Sequence, residues 1–303
     1  MSNLKNKVIV TGGCGFIGSH LVDKLIEKKY DVYVIDDLSA ESNEQFYFNE
    51  SAKYYKFDIN DDSIPHKEIF EDAKYVFHLA AESRIGPAIR NPVRATEINA
   101  VGTTKMLQYS RLYNVEKFIY SSTSSVYGNL CKLPTDEREP IDCLNPYSAT
   151  KYSGEQMVEM YTKMYGLKTV IFRYFNVFGE RSPTTGPYAP VIGIFLRQKN
   201  NKETLTIVGS GDQCRDFVHV YDIANVNILA AESETHEGRN LYNIGTGENI
   251  SINDIAKLIS HDITHIPPRD GEAEHTLANI TEAEKHLNYK PSMNVKDWIL
   301  NLK

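Results

Sequence analysis

The chain has 303 residues, of which 41% are hydrophobic and 24% are charged, and 33 basic against 40 acidic side chains leave a net charge of −7. This length allows a large core in one or two domains, and the composition is ordinary for a soluble globular protein. The acidic balance argues against a nucleic-acid-binding surface, so an anionic substrate would require a local basic site. The first apolar run, residues 8–10, is too short for a signal peptide, and no run of about 18 apolar residues predicts a membrane span.

The four cysteines, Cys14, Cys131, Cys143 and Cys214, are far apart and form no CxxC pair. Such isolated thiols are typical of a reduced, cytoplasmic protein. No histidine, cysteine or acidic side chains have the paired spacing of a metal site, and we therefore expect no metal.

Short apolar runs alternate with amphipathic segments along the first 173 residues. The runs predict strands at 8–10, 32–35, 54–57, 75–79, 117–120 and 169–172, and the amphipathic segments predict helices near 16–29, 92–113 and 147–165. This alternation is typical of βαβ units, so we expect an α/β fold with a Rossmann-type doubly wound parallel sheet.

Beyond about residue 173 the pattern changes, and Gly and Pro cluster at 179–190. We expect a smaller, mixed α/β substrate-binding domain there, formed by residues 174–214 and 244–303 and laid over the carboxyl ends of the strands. Residues 215–231 predict a strand and a helix that return to the large sheet. The Rossmann-type domain would therefore comprise residues 1–173 together with about 215–243.

A glycine-rich turn follows the first predicted strand and precedes a helix. Gly12, Gly15 and Gly18 would allow a tight turn and the close approach of a pyrophosphate to the helix N-terminus. Asp36 ends the next strand, 18 residues after Gly18, where a carboxylate can bind ribose hydroxyls and would repel a 2′-phosphate. Strand, turn, helix and acid in this order indicate an NAD site rather than an NADP site, although such a turn can also serve helix packing alone.

Two further polar residues allow two interpretations each. Asp58, which is followed by Ile59, could meet the adenine edge of the cofactor or could cap a turn. Asn99, within a predicted helix, could face the cofactor or the solvent. The sequence leaves both alternatives open.

Tyr147 and Lys151 stand four residues apart and therefore share one helical face. A nearby ammonium favours phenolate over phenol, which gives a base that can remove a hydroxyl proton near neutral pH. The hydroxyl-rich run 121–125 contains Thr123 at the end of a predicted strand, and a hydroxyl there can hydrogen-bond a reacting oxygen. Together these residues predict hydride chemistry on an alcohol beside a bound dinucleotide.

Six ordered motifs make the chain resemble the extended short-chain dehydrogenase/reductase family over nearly its whole length. They are TGGCGFIGSH (11–20), HLAA (78–81), SSVYG (124–128), NPYSATK (145–151), FRYFNVFG (172–179) and RDFVHVYDIA (215–224). The resemblance implies NAD across the glycine turn, Tyr147 as the catalytic base, Lys151 on the nicotinamide ribose and Thr123 as the catalytic hydroxyl. It also implies a homodimer formed through the helices near 92–113 and 147–165. The cofactor contacts that it implies are Gly12, Gly15, Phe16, Ile17, Gly18, Asp36, Asp37, Asp58, Ile59, Leu79, Ala80, Ala81, Asn99, Tyr147 and Lys151.

Within this family the chain most resembles the UDP-hexose 4-epimerases. Nucleotide-sugar 4,6-dehydratases place Asp-Glu directly after the catalytic Thr to move a proton at carbon 5, whereas this chain has Ser124 and Ser125 there. The missing acids disfavour carbon 5 chemistry, so oxidation and reduction at carbon 4 remain. The loop 80–84 (AAESR) looks more like the dehydratase version. We give the missing acids more weight, because their absence removes a chemical step.

A UDP-sugar needs groups that bind its diphosphate and its ribose, and the resemblance places them in the second domain. Arg215 and Arg269 would hold the diphosphate, since a guanidinium donates two parallel hydrogen bonds to phosphate. Surface ion pairs are the alternative role for these arginines. Glu272 would bind the uridine ribose. The other implied substrate contacts are Ser83, Thr123, Asn176, Tyr188, Val191 and Thr276, with Ala189 and Pro190 at the uracil pocket.

Thr276 bears on the choice of sugar. The resemblance aligns it with an epimerase position where a bulky Tyr restricts the pocket to glucose and galactose, while smaller residues leave space for an N-acetyl group. We therefore expect UDP-glucose and UDP-galactose as substrates, with room for the N-acetylhexosamine forms.

Three other functions would use parts of this pattern. A 4-keto reductase would share the three catalytic residues but would consume free NADPH, which Asp36 disfavours, and a 4,6-dehydratase needs the two absent acids. A non-catalytic redox sensor could keep the glycine turn. It would have no reason to retain Thr123, Tyr147 and Lys151 together.

Overall fold

The computed structural model describes residues 6–40, 45–185, 189–234, 240–268, 271 and 273–302. The strands in this part are β1 (Lys7–Thr11), β2 (Asp31–Ile35), β3 (Lys53–Tyr55), β4 (Ala73–His78), β5 (Lys117–Thr123), β6 (Thr169–Tyr174), β7 (Asn176–Phe178), β8 (Leu205–Val208), β9 (Cys214–Arg215), β10 (Phe217–His219), β11 (Leu241–Ile244), β12 (Ile250–Ser251) and β13 (Ile263–Ile266). The α-helices are α1 (Phe16–Glu27), α2 (His66–Phe70), α3 (Ile85–Arg90), α4 (Pro92–Thr96), α5 (Thr103–Leu112), α6 (Pro146–Tyr165), α7 (Val191–Asn200), α8 (Val220–Glu232), α9 (Ile252–Ile259), α10 (Thr281–Leu287) and α11 (Val295–Asn301). None of these helices is long and apolar enough to cross a membrane.

Seven of these strands form one parallel sheet in the order β11-β6-β5-β4-β1-β2-β3. This is the order of a doubly wound dinucleotide-binding sheet with a seventh strand at one edge. Alternate side chains cover its two faces: Val8 and Val10 join one hydrophobic core, whereas Ile9 joins the core on the opposite face. The predicted α/β fold and all six predicted strands are confirmed.

The helix predicted near 92–113 is present but is not one continuous α-helix. It consists of α4, a π-helical turn at Glu97–Gly102 and α5. A π-turn widens the helix locally and shifts the faces of the turns that follow it. Hydrophobic periodicity does not reveal this insertion, because the apolar pattern continues on both sides of it.

Residues after β6 build a second core beside the large sheet. Three two-stranded sheets, β7 with β10, β8 with β13 and β9 with β12, pack with α7, α9 and α11. Phe195, Ile255 and Trp298 are among the buried side chains of this core. As the sequence predicts, the helix of residues 215–231, α8, packs on α1 and β5 at the large sheet. The strand of that segment, β10, does not join the large sheet but pairs with β7, and β11 is the strand that is added to the large sheet. The exact division into two domains stays a prediction.

One buried carboxylate ties segments of the second core together. Asp216, between β9 and β10, accepts hydrogen bonds from the backbone N–H groups of Thr246 (2.8 Å), Gly247 (3.0 Å) and Ala278 (3.0 Å). Burial raises the pKa of this carboxyl, and the three donors oppose that effect by stabilising the carboxylate. These bonds hold the segment around Ala278 next to β9 and β10.

Lys117 is a buried cation that joins β5 to the end of α8. Its ammonium donates to the carbonyl oxygens of Ala230 (2.7 Å), Ala231 (3.2 Å) and Ser233 (2.6 Å). These carbonyls lie at the C-terminal end of a helix, where they lack partners within the helix and attract positive charge. Burial lowers the pKa of Lys117 to about 8, and the three acceptors favour its charged form.

Replacement of Lys117 by Met should therefore destabilise the protein. The variant leaves the end of α8 without its donor, and we expect the free energy of unfolding to fall by about 1–3 kcal/mol. Urea unfolding followed by far-UV circular dichroism measures the change. Lys163→Met is the matched control, because Lys163 is exposed and pairs with Glu159 on the surface of α6; its effect should stay below about 0.5 kcal/mol. Equal effects of the two substitutions would contradict the capping role.

Candidate active site

A cavity of about 510 Å³ runs along the carboxyl ends of β1, β2, β4, β5 and β6, where open α/β sheets bind their ligands. The predicted cofactor residues that line it are Gly12, Gly15, Phe16, Ile17, Gly18, Asp36, Asp37, Asp58, Ile59, Leu79, Ala80, Ala81, Tyr147 and Lys151. The predicted substrate residues that line it are Ser83, Thr123, Asn176, Val191, Arg215 and Thr276. Their individual roles stay predictions, but the structure brings all of them into one cleft.

Three predicted substrate residues, Tyr188, Arg269 and Glu272, lie outside the described residues. Neighbours of theirs do line the cavity, among them Ala189 and Gly271. The carbonyl oxygen of Gly271 accepts a hydrogen bond from Nδ2 of the Asn145 side chain at 2.8 Å.

The glycine turn has the shape that a closely bound ligand requires. Gly12 has a φ of +71°, which favours glycine, and a Cβ there would stand 2.7 Å from the backbone nitrogen of Ala80. A Cβ at Gly18 would collide with the carbonyl oxygen of Gly12. Helix α1 begins directly after the turn, and its first residues, Phe16 and Ile17, line the cavity. Its unpaired N–H groups can therefore receive a pyrophosphate.

Asp36 follows β2 at the wall of the cavity. Its carboxylate accepts hydrogen bonds from the backbone N–H groups of Cys14 and Leu38, both at 2.9 Å. Burial raises the pKa of this carboxyl, and the two donors oppose the shift by stabilising the carboxylate. A carboxylate anchored here can accept hydrogen bonds from ribose hydroxyls and would repel a 2′-phosphate.

Asp58 combines the two roles that the sequence leaves open. It lines the cavity, and its Oδ1 also accepts the Asn60 N–H at 2.8 Å, as in a turn cap. Its Oδ2 forms an ion pair with Arg94 of α4. Burial opposes the ionisation of this carboxyl, but the Asn60 N–H and the Arg94 guanidinium outweigh it and lower the pKa.

Asn99 differs from both predicted positions, because it faces neither the solvent nor the cavity. It is fully buried in the π-turn, and it is not among the residues that line the cavity. Its side chain accepts the Glu82 N–H (2.9 Å) and donates to the Glu82 carbonyl (3.1 Å) and to the Thr150 hydroxyl (3.0 Å). Asn99 therefore connects the loop after β4 to α6, and the structure does not support a direct cofactor contact.

Helix α6 positions the predicted catalytic pair. Asn145 caps its N-terminus by accepting the Ser148 N–H at 2.9 Å. Tyr147 then lies in the first turn and Lys151 one turn later, and both line the cavity. The hydroxyl of Thr123, the last residue of β5, acts on the Tyr147 phenol and lowers its pKa against the larger effect of burial. The three predicted catalytic side chains are thus brought together.

The charges around this pair differ from the sequence-based expectation in one respect. Burial raises the pKa of the Tyr147 phenol, whereas the Thr123 hydroxyl and the Arg84 guanidinium lower it. The sequence predicts that Lys151 supplies this cation. However, the Lys151 ammonium lies 4.4 Å from the ring centre of Tyr120, and burial lowers its own pKa to about 7. The Arg84 guanidinium, which does not stand out in the sequence, is a cation that acts on the phenol.

Lys151 has a compensating carboxylate one turn further along α6. Glu155 raises the pKa of Lys151 against the larger effect of burial. Glu155 also forms an ion pair with Arg173 of β6 at 2.7 Å and accepts a hydrogen bond from Ser122 of β5. Helix α6 is therefore attached to both strands whose ends form the site.

Two predicted substrate residues from distant parts of the chain contact each other. Oγ1 of Thr276 donates to Oδ1 of Asn176 at 3.3 Å. The Arg215 guanidinium donates to the carbonyl oxygens of Cys214 (3.0 Å) and Glu274 (2.9 Å), which orients it in the same part of the molecule. These contacts build one wall of the cleft from residues that lie far apart in the sequence.

Several cavity residues were missed by the sequence analysis, among them Arg84, Tyr174, Phe175 and Gln213. Tyr174 and Phe175 follow the predicted strand 169–172, and residues at the carboxyl end of a parallel strand lie at the ligand edge. This signal could have identified them. Arg84 and Gln213 lie in loops without periodicity, and only the folded chain brings them to the cleft.

Comparison with known proteins decides the family. A model of the NAD dependent epimerase/dehydratase family matches residues 8–245. The chain belongs to this family. A putative UDP-glucose 4-epimerase of Methanocaldococcus jannaschii is 38% identical over 299 residues, which are 96% of this chain and 95% of that protein.

Solved structures give the same result. The UDP-glucose 4-epimerase of Thermotoga maritima with UDP-glucose is 36% identical and has a TM-score of 0.90, covering 97% of this chain and 96% of that chain. A UDP-N-acetylglucosamine 4-epimerase from Methanobrevibacter ruminantium, in complex with UDP-N-acetylmuramic acid, is 35% identical, with a TM-score of 0.90 and the same coverage. The predicted family, the fold and an NAD-dependent isomerase of the UDP-hexose 4-epimerase type are confirmed.

The buried Lys151 should make the stability of the cofactor-free protein depend on pH. Burial lowers the pKa of this ammonium from 10.5 to about 7. Between these two values the unfolded chain binds a proton that the folded protein does not, so the free energy of unfolding should rise with pH. Lys151→Met should remove this part of the slope.

Urea unfolding of the two cofactor-free proteins at several pH values between about 7 and 10 measures the difference. The exposed Lys163 on the same helix provides the control, and Lys163→Met should keep the wild-type slope. An unchanged slope in Lys151→Met would show that folding does not perturb this ammonium.

Proposed function

We propose that the protein is an NAD-dependent 4-epimerase of UDP-hexoses that inverts carbon 4 through a transient 4-keto sugar. The observation that carries this proposal is the meeting of Thr123, Tyr147 and Lys151 at the wall of a cleft that also contains the glycine turn. Ser124 and Ser125 line the same cleft at the positions where a dehydratase has its acids. The family match and the similarity to UDP-sugar epimerases support the proposal.

Each residue of the triad has a separate task in this proposal. Tyr147, as phenolate, takes the proton of the sugar 4-hydroxyl, and Thr123 hydrogen-bonds the same oxygen. Lys151 holds the nicotinamide ribose. When bound, NAD supplies the redox chemistry by accepting hydride from carbon 4 and returning it, so no cofactor is consumed. Once the keto sugar has turned its other face to the nicotinamide, Tyr147 returns the proton to the oxygen.

The turn of the keto sugar requires a firm hold on the nucleotide and a loose hold on the sugar. Arg215 would bind the diphosphate with Asn176 near it, while Thr276 would line the sugar pocket. Binding energy from the non-reacting nucleotide then retains the intermediate in the cleft. The two predicted domains would share these tasks: residues 1–173 with about 215–243 bind NAD, and residues 174–214 with 244–303 bind the UDP-sugar.

We also propose that N-acetylhexosamine forms are accepted beside glucose and galactose. Thr276 lines the cleft, and its small side chain is held by a hydrogen bond to Asn176. The similarity to the UDP-N-acetylglucosamine 4-epimerase supports this substrate range. A cytoplasmic location is a further part of the proposal, and it is supported by the four cysteines, all of which are free thiols.

The proposed activity can be tested without added cofactor. The denatured protein should release NAD, and the native protein should equilibrate UDP-galactose with UDP-glucose, as measured by chromatography of the two sugars. Tyr147→Phe should lower kcat by about 10²–10⁴, because the general base is lost, while bound NAD is retained.

Tyr152→Phe is the matched control, because it makes the same chemical change on the same helix at a residue that does not line the cavity. It should leave turnover unchanged. Near-normal turnover by Tyr147→Phe would contradict the assignment of the base. The same assay with UDP-N-acetylglucosamine tests the sugar range, and no conversion alongside normal UDP-galactose turnover would show that the N-acetyl group is excluded.

A homodimer is the last part of the proposal. Val93 of α4, Val101 of the π-turn, Leu112 of α5 and Met164 of α6 are between 47% and 70% exposed. Helices α5 and α6 pack on each other, so these residues lie on the outer faces of adjoining helices. An exposed apolar surface of this kind marks a protein interface, and a second copy related by a two-fold axis would cover it in a four-helix bundle.

Acidic substitutions in this surface should dissociate the dimer. The double variant Val101→Glu with Leu112→Glu would bring like charges together across the two-fold axis and remove apolar area, so sedimentation velocity should show a monomer. Leu300→Glu is the control, because Leu300 is 57% exposed on α11, outside this surface. Dissociation by Leu300→Glu with a stable dimer of the double variant would place the interface elsewhere.

A further inference from the structure

We propose that Arg84 is a second cation that stabilises the phenolate of Tyr147, so that the reacting centre contains an arginine in addition to Lys151. This inference deepens the proposed function and rests on it, because it concerns the base of the same reaction. Arg84 acts through Tyr147 and is therefore a positioning residue. Its guanidinium keeps its protons while the proton of the sugar 4-hydroxyl passes to Tyr147 and back.

Arg84 lies in the wall of the same cavity as Tyr147. It occupies the N-cap position of α3 with an extended backbone, φ −124° and ψ 137°. Its Nε is buried and has no hydrogen-bond partner among the described residues. No hydrogen bond within the described part of the chain holds the guanidinium at this atom. Leaving a buried N–H without a partner costs free energy. Such a donor is free to serve a charge that forms in the cavity.

A continuous chain of hydrogen bonds positions Arg84 relative to the helix of Tyr147. Thr150, three residues after Tyr147 on α6, accepts a hydrogen bond from the Asn99 amide at 3.0 Å. Asn99 holds the backbone N–H and C=O of Glu82 at 2.9 and 3.1 Å. The Glu82 carboxylate then accepts the backbone N–H of Arg84 at 3.3 Å. The buried Asn99 thus fixes the position of the loop that contains Arg84 relative to α6, the helix that contains Tyr147.

The charge of Arg84 depends less on pH than the charge of Lys151. Burial lowers its pKa to about 7, and its ammonium lies over the ring of Tyr120, which burial keeps neutral. Above neutral pH a growing fraction of Lys151 is therefore uncharged. Burial also lowers the pKa of Arg84, but from 12.5, and a guanidinium remains protonated at every working pH.

The other groups that face Tyr147 do not supply a positive charge. Burial and the Glu82 carboxylate raise the pKa of the phenol, whereas the Thr123 hydroxyl and the Arg84 guanidinium lower it. Glu155, on the same helix, acts on Lys151 instead. At the reacting oxygen, the charge of Arg84 therefore acts together with the Thr123 hydroxyl against burial and Glu82.

The test compares Arg84→Met, which removes the charge at similar length, with Arg84→Lys, which keeps a charge. In the NAD-bound protein labelled with tyrosine carrying ¹³C at Cζ, the resonance of Tyr147 is the one missing from Tyr147→Phe, and its shift reports ionisation. Arg84→Met should raise the pKa of Tyr147 by about one pH unit, the effect of losing a cation at close range. Arg84→Lys should restore most of the wild-type titration.

The pH profile of kcat/KM with UDP-galactose provides a second readout. In Arg84→Met its acid limb should move to higher pH by the same amount, and kcat/KM at neutral pH should fall about tenfold. The KM for UDP-galactose and the content of bound NAD should stay unchanged. Arg138→Met is the control, since Arg138 is exposed and pairs with Asp136; it should move neither the titration nor the profile.

The outcomes separate this inference from its alternatives. An unmoved Tyr147 titration in folded, NAD-bound Arg84→Met would overturn it. A higher KM without a shift of the titration would make Arg84 a substrate contact and would also overturn it. If the wild-type protein does not epimerise UDP-galactose, the proposed function fails, but the ¹³C titration still measures the effect of Arg84 on Tyr147.

Discussion

The buried ion pair between Glu155 and Arg173 fixes the geometry on which the rest of the site depends. Both side chains are almost fully buried, 1% and 4% exposed, and they link α6 to β6, while Ser122 links Glu155 to β5. Removing one partner of such a pair typically costs about 3–5 kcal/mol, because the other charge is left uncompensated. Tyr147 and Lys151 lie on the same helix, so their position relative to the end of β5 follows from this attachment.

Burial makes this chemistry possible and also works against it. In a site shielded from water, charges interact strongly, yet burial disfavours the charged forms of both Tyr147 and Lys151. The protein offsets this with a carboxylate beside the ammonium, Glu155, and with a guanidinium beside the phenol, Arg84. The stability lost by burying such groups is a common consequence of building a reactive site.

Most of the predicted cofactor residues line the cleft because their placement depends on local order. A strand, the turn from Gly12 to Gly18, a helix and then Asp36 follow one another in the chain, and parallel strands bring their ends to one edge. Asn99 departs from its predicted positions because the π-turn changes the face on which it lies, and hydrophobic periodicity does not reveal that turn. The sequence does not indicate a role for Arg84 because this residue lies in a loop, where residue spacing does not predict the direction of a side chain.

The α/β fold, the glycine turn with its acid, and the grouping of Thr123, Tyr147 and Lys151 follow from the sequence alone. These features depend on residue spacing along a single strand or helix, or on the order of such elements. Both can be inferred from residues that are close together in the chain. Three features required the folded chain: Thr276 contacts Asn176, Glu155 pairs with Arg173, and the Arg84 guanidinium acts on the Tyr147 phenol. Such contacts join segments that are distant in the chain, so they depend on how those segments cross and pack, and no local pattern records them.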